Sequence, residues 1–151
     1  MKNDERLMVI GHSEYIDIPI IRAKNVLAKI DTGADSSSIW ASKIIKNDKD
    51  ELLVSFFDKS SKFYTGVPVK FTKSNYSRVI IKNSFGDAEI RYRIKLIVKV
   101  KNRTIRATFT LANRQSKTYP ILIGKRLLRN KFLVDVSESN KLSKPSLENE
   151  N

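Results

Sequence analysis

Apolar side chains recur at every second position over two adjoining stretches, and that period of two makes β-structure the framework of this chain. From Arg91 to Val100, Arg91, Arg93 and Lys95 fall on one side and Tyr92, Ile94 and Leu96 on the other. A strand turns successive side chains to opposite faces, so this is a half-buried strand with a basic outer face. From Arg103 to Leu111 the pattern repeats, with Ile105, Ala107, Phe109 and Leu111 on one face. Lys101-Asn102 between them suits a tight hairpin turn.

The remaining chain reads mainly as short strands. Val9-Ile10, Ile16 to Ile18 and Val26 to Ile30 are apolar segments separated by Gly11, Pro19 and polar residues. Pro120 to Ile123 is a continuous apolar run, as in a strand covered on both faces, and it stops at Gly124. Lys125 to Asn130 fits one or two helical turns, and Phe132 to Val136 a last strand. Between Trp40 and Arg78, Val54 to Phe57 and Val67 to Phe71 suggest further strands around a charged turn at Lys46 to Glu51. The chain has 151 residues, enough for one domain, which we place at 1–137. From Glu138 onward Ser, Asn, Lys and Glu replace the apolar residues, and 138–151 is expected to be a disordered polar tail.

Composition narrows the chemistry. The chain has no cysteine and one histidine, His12, which excludes disulfides and thiolate metal sites and leaves no His-Glu-x-x-His motif. No Gly-rich loop ending in Lys-Ser or Lys-Thr is present, so no nucleotide-binding P-loop is expected. Neither a metal nor another cofactor is expected. Met1 to Arg6 is polar and no stretch approaches the ~20 apolar residues of a membrane span, so a cytoplasmic protein without membrane contact is expected. The net charge is +13, an excess that attracts polyanions in a salt-dependent way. An acidic polypeptide and a nucleic acid both answer that description. Asn102-Arg103-Thr104 matches a glycosylation sequon, which has meaning only in a secreted chain.

The residues suited to chemistry follow the strand that ends at Ile30. Lys29-Ile30-Asp31-Thr32-Gly33-Ala34-Asp35-Ser36 suits a loop that presents one carboxylate on a fixed backbone. Gly33 permits close approach of another chain, and Thr32 offers a hydroxyl to brace neighbouring backbone. Downstream, Leu122-Ile123-Gly124-Lys125 places an apolar pair before a glycine and a base.

Together these two segments resemble the retropepsin family of aspartic proteases. The resemblance implies an all-β closed barrel with a ψ-loop core, one short helix near 125–130, and an insertion of strands between about 40 and 78. It implies that Asp31, Thr32 and Gly33 are catalytic and that Ala34 and Asp35 lie against substrate, Asp35 also bracing the loop. Lys125 stands where that family usually carries Arg, and an ammonium lacks the fork that grips a carboxylate with two bonds. Counting back from Gly124 sets the substrate-covering flap at Ser84, Phe85 and Gly86, between Val79 to Ile81 and the Arg91 strand. Trp40 and Phe85 are candidates to line a groove.

Three blocks are similar to a narrower group: Lys29 to Ala34, Ser84 to Arg91, and Thr110 to Arg114 with Tyr119 to Gly124. This is a bacterial family of small retropepsin-like proteins often labelled ATP-dependent zinc proteases, whose members look like companions of ATP-grasp ligases that add glutamates to protein tails. Nothing in the sequence supports the zinc or the ATP. The resemblance implies a peptidase acting on acidic, glutamate-rich peptides, with Arg91 and Arg114 as candidate grips for substrate carboxylates. Such a peptidase needs two carboxylates sharing a proton, and one Asp-Thr-Gly in so short a chain implies a homodimer that sets Asp31 against Asp31. Two rival readings are a basic β-barrel that binds nucleic acid along the Arg91–Arg93–Lys95 stripe, and an inactive retropepsin-fold scaffold.

Overall fold

A computed structural model of the chain describes residues 7–82, 84–115 and 117–140. Six strands close into a barrel. They are β2 (Ser13–Ile18), β3 (Ala23–Ile30), β4 (Ser37–Lys46), β8 (Ala88–Val100), β9 (Arg103–Ala112) and β10 (Ile121–Ile123). Around the ring the order is β10-β3-β2-β8-β9-β4, and a β10–β4 pairing shuts it. The fold is the all-β, retropepsin-like barrel that the motifs imply.

Burial follows the alternation. Along β8, Ile94, Leu96, Val98 and Val100 are buried while Lys95, Ile97 and Lys99 are exposed. On β9 the core residues are Ile105, Phe109 and Leu111. Each such aliphatic or aromatic side chain contributes about 1.5–3 kcal/mol by leaving water. The turn between these strands occupies Lys101 and Asn102, with Lys101 in the left-handed region at φ 56°. Ile121 and Ile123 of β10 share one face and are both buried, while Leu122 on the opposite face is half-buried; β3 and β4 pair with the strand along its two edges. This is the ψ-shaped core: β10 runs parallel to β3 and antiparallel to β4.

The insertion between 40 and 78 is built on the far half of β4. There β5 (Leu52–Phe56) pairs with residues 41–46, and β6 (Val69–Phe71) pairs with β5. Phe57 links this annex to the barrel, its ring 6.0 Å from those of Trp40 and Phe63. Trp40 is therefore buried core. Val67 and Pro68 stand outside β6, and Pro68 has no N–H to give a ladder.

Two short strands, β1 (Met8–Ile10) and β11 (Phe132–Val134), form a separate parallel pair. The helix α1 (Lys125–Leu128) lies between β10 and β11, as expected. Chain contacts continue past Ser137: the His12 amide donates to the Glu138 carbonyl at 2.7 Å and the Asn140 amide to Ser13 at 2.6 Å. Gly11 is required beneath that crossing, since a Cβ there would collide with the Glu138 carbonyl. The rest of the expected tail, 141–151, lies outside the described residues.

Candidate active site

Asp31 is the first residue after β3, and its backbone is fixed from two directions. Its amide donates to the Ile123 carbonyl at 2.8 Å, continuing the β3–β10 ladder by one rung. Its Oδ1 accepts the Gly33 amide at 2.9 Å. The loop carboxylate is thus half-buried and held by its own turn. Thr32 and Gly33 are exposed beside it.

The far side of the loop is clamped to the start of α1. The Lys125 amide donates to the Ala34 carbonyl at 2.7 Å and the Arg126 amide to the Asp35 carbonyl at 3.2 Å. Lys125 Nζ lies 3.3 Å from Asp35 Oδ1, with the side chains 48% and 72% exposed. An exposed single-contact pair contributes at most about 1 kcal/mol, so the backbone bonds carry the clamp. Gly124 makes this close approach possible. A Cβ there would meet the Ser36 carbonyl oxygen at 2.6 Å and that of Ala34 at 2.8 Å. Ala34 and Asp35, read from the sequence as substrate contacts, act within one subunit as parts of this clamp.

The expected flap is a hairpin of β7 (Tyr76–Lys82) and the outer half of β8, in register from Tyr76 opposite Ile94 to Lys82 opposite Ala88. Ser84, Phe85 and Gly86 lie in its tip. Phe85 is 89% exposed, and Gly86 has φ 89°, a conformation glycine adopts without strain. The hairpin arms are unusually apolar for exposed strands: Ile80 pairs with Ile90, and both are exposed.

The two candidate arginines behave differently. Arg91 sits on the flap arm and contacts Glu89 on its own strand, Nε to Oε2 at 3.3 Å. Arg114 is half-buried; its Nε donates to the Tyr119 carbonyl at 2.9 Å and its Nη1 to Ser38 Oγ at 3.2 Å. Burial lowers its pKa from the ordinary arginine value. Arg114 therefore fastens the β9–β10 connection to β4, a positioning task. His12 is exposed in the β1–β2 turn, and among the described residues no group of three His, Cys, Asp or Glu side chains converges.

Two features were not foreseen. An open groove lined by Thr32, Lys125, Leu128, Arg129, Phe132, Leu133 and Val134 adjoins the Asp31 loop. A cleft of about 390 Å³ lies beyond Ser36 and Ser37 and is lined by Arg93, Arg106, Arg126 and Lys131. The alternation of β8 puts Arg93 on the basic face, but nothing local signals that α1 meets that face.

A family model described as RimB-like, retropepsin-like aspartic endopeptidase RimB, matches residues 9–145. Curated relatives named probable alpha-L-glutamate ligase include one from Shewanella pealeana, 32% identical over 132 residues. That match takes in 87% of this chain and 29% of the relative. Another, from Desulfotalea psychrophila, is 28% identical over 136 residues, covering 89% of this chain and 29% of the relative. The chain thus spans under a third of the length of the curated relatives it matches. A solved structure of a Legionella pneumophila protein of unknown function superimposes with a TM-score of 0.70 at 21% identity. It covers 90% of this chain and 98% of that one, a likeness of fold.

Proposed function

The chain belongs to the RimB-like family of retropepsin-like aspartic endopeptidases, and on that premise we propose that it is a peptidase whose Asp31 works against the Asp31 of a second copy. The observation that carries this reading is a carboxylate set by backbone bonds from Ile123 and Gly33 at the mouth of an exposed loop. Two such carboxylates about 3 Å apart cannot both ionise, so they share one proton. The ionised partner takes a proton from water as it attacks the peptide carbonyl, and the protonated partner donates to the carbonyl oxygen. One subunit has one such group, so assembly creates the reactive pair.

The groove beside Thr32 supports a two-fold partner. Val9 and Leu133 are in register on the β1–β11 pair, and both turn outward with Leu7, Leu133 being 54% exposed. An apolar strip of this kind next to the loop is suited to burial against its own copy. The substrate we propose is an acidic, glutamate-rich peptide tail. The +13 charge favours such a partner, and the names of the relatives associate the domain with glutamate ligation. A ligase of that class would be the functional companion.

The test is hydrolysis of an internally quenched glutamate-rich peptide by the wild-type chain and by Asp31→Asn. The asparagine Oδ1 still accepts the Gly33 amide, so folding is retained and turnover is expected to fall at least ~100-fold, a typical scale for removing a general acid–base group. Turnover by Asp31→Asn above a few per cent of wild type would sink the reading.

A further inference from the structure

The cleft beyond Ser36 combines two features that point to one kind of ligand. The first is charge. Arg93, Arg106, Arg126 and Lys131 line it with Ser77 and Thr108, and no carboxylate does. None of the four bases forms an ion pair among the described residues, and Arg93 Nε is buried there without a hydrogen-bond partner. A buried guanidinium N–H without an acceptor costs stability, which an incoming anion would recover.

The second feature is an open strand edge. β9 pairs with β8 from Arg103 to Thr110, but with β4 only from Phe109 to Ala112. On the β4 side, therefore, residues 103–108 have no strand partner among the described residues, and no other backbone hydrogen bond reaches 104–108. Ile105 to Thr108 of this edge form one wall of the cleft, facing Ser36, Arg126, Leu127 and Lys131. Four strand residues span roughly 13 Å, the reach of a four-residue extended segment.

We propose that this cleft is a docking site for an extended acidic peptide segment, which adds as a strand to the β9 edge and sets its carboxylates against Arg93, Arg106, Arg126 and Lys131. A free oxyanion would use the charges and leave the edge idle; an extended peptide uses both. The inference deepens the peptidase reading and rests on it for the identity of the ligand as substrate. The Arg126 amide bonds the Asp35 carbonyl, so the cleft and the Asp31 loop share a wall, and a peptide anchored here is carried toward the loop.

The experiment measures anisotropy of fluorescein-labelled hexaglutamate on the full-length Asp31→Asn chain, with Arg126→Gln and Lys131→Gln added singly and together. Arg126 is exposed and Lys131 half-buried at the rim of the cleft, and among the described residues neither forms an ion pair whose loss would unsettle the fold; Arg106→Gln adds a variant at a second exposed residue. The double variant is expected to bind about tenfold more weakly. Hexaglutamate N-methylated at alternate residues is expected to lose a similar factor, because it cannot pair with a strand. Unchanged binding by the variants, or equal binding of the methylated peptide, overturns the proposal. So does displacement of the probe by pyrophosphate or hexathymidylate at lower concentration than by unlabelled hexaglutamate. The two readings fail separately: Asp31-dependent cleavage with unaffected cleft variants removes the cleft alone, whereas cleft-dependent binding without Asp31-dependent cleavage removes the peptidase.

Discussion

The hydroxyl of Ser37 accepts the amide of Gly124 at 3.0 Å, across 87 positions of sequence, in a buried contact. It joins the start of β4 to the end of β10 immediately behind the Asp31 loop. Ser37→Ala leaves the Gly124 N–H without that acceptor and is expected to cost about 1–3 kcal/mol. Gly124→Ala is expected to do more, because its Cβ meets two backbone carbonyls rather than a movable side chain. Urea unfolding of both variants checks the order. The proposed peptidase activity of Gly124→Ala should fall by more than its loss of folded fraction accounts for, since the displaced atoms belong to the loop.

In the proposed dimer, Leu133→Glu should separate the copies without unfolding them. The side chain is exposed in one subunit, so the melting temperature of the isolated chain is expected to stay within a few degrees. Sedimentation velocity should show at least a tenfold rise in the dimer dissociation constant, with loss of activity at concentrations where the wild type is active. A dimer of undiminished strength would move the interface elsewhere.

Arg114→Ala is expected to lower stability by about 1–3 kcal/mol, because it removes the donor that serves two acceptors, the Tyr119 carbonyl and the Ser38 hydroxyl. Arg114→Lys should recover little of this, since an ammonium lacks the fork that spans the two partners. If Arg114 gripped substrate directly, the Michaelis constant would rise while the unfolding midpoint stayed put.

The turn between β4 and β5 should show in the acid limb of stability. The pKa of Asp50 is lowered, first by its hydrogen bond from Lys46 and then by the charges of Lys46 and Lys73. That of Glu51 is lowered, first by the Asn47 amide, against a smaller opposing effect of desolvation and with help from Lys70. A carboxyl group whose folded pKa is depressed contributes stability above its unfolded value, and loses it as pH falls through the folded one. Asp50→Asn with Glu51→Gln should therefore narrow the gap in urea midpoint between pH 5 and pH 3, the wild type having the larger gap.

What was legible in the sequence was what is local or doubly signalled. The alternation of Tyr92, Ile94 and Leu96 gave β8, and the glycine after Leu122-Ile123 gave the partner of the Asp31 loop. Strand ends were less legible: β6 starts only at Val69, after Pro68, which has no N–H to give, and β11 stops at Val134, where its partner β1 ends at Ile10 although Val136 is still apolar. The cationic cleft was hidden for a different reason. Arg93, Arg106, Arg126 and Lys131 come from β8, β9, α1 and the turn after it, and only closure of the barrel collects them. Arg114 matched a shared block, yet its partners Ser38 and Tyr119 were unknowable without the β10–β4 contact.

One continuous strand, β8, leaves the barrel wall and becomes an arm of the flap. At Arg93 and Ile94 it is paired on both sides at once, with β7 and with β9. There is no loop at that junction to serve as a pivot. The hairpin is a cantilever rooted in the wall, so its tip can move only by bending the sheet; in the proposed peptidase, the stiffness of the barrel would set how readily a peptide is admitted.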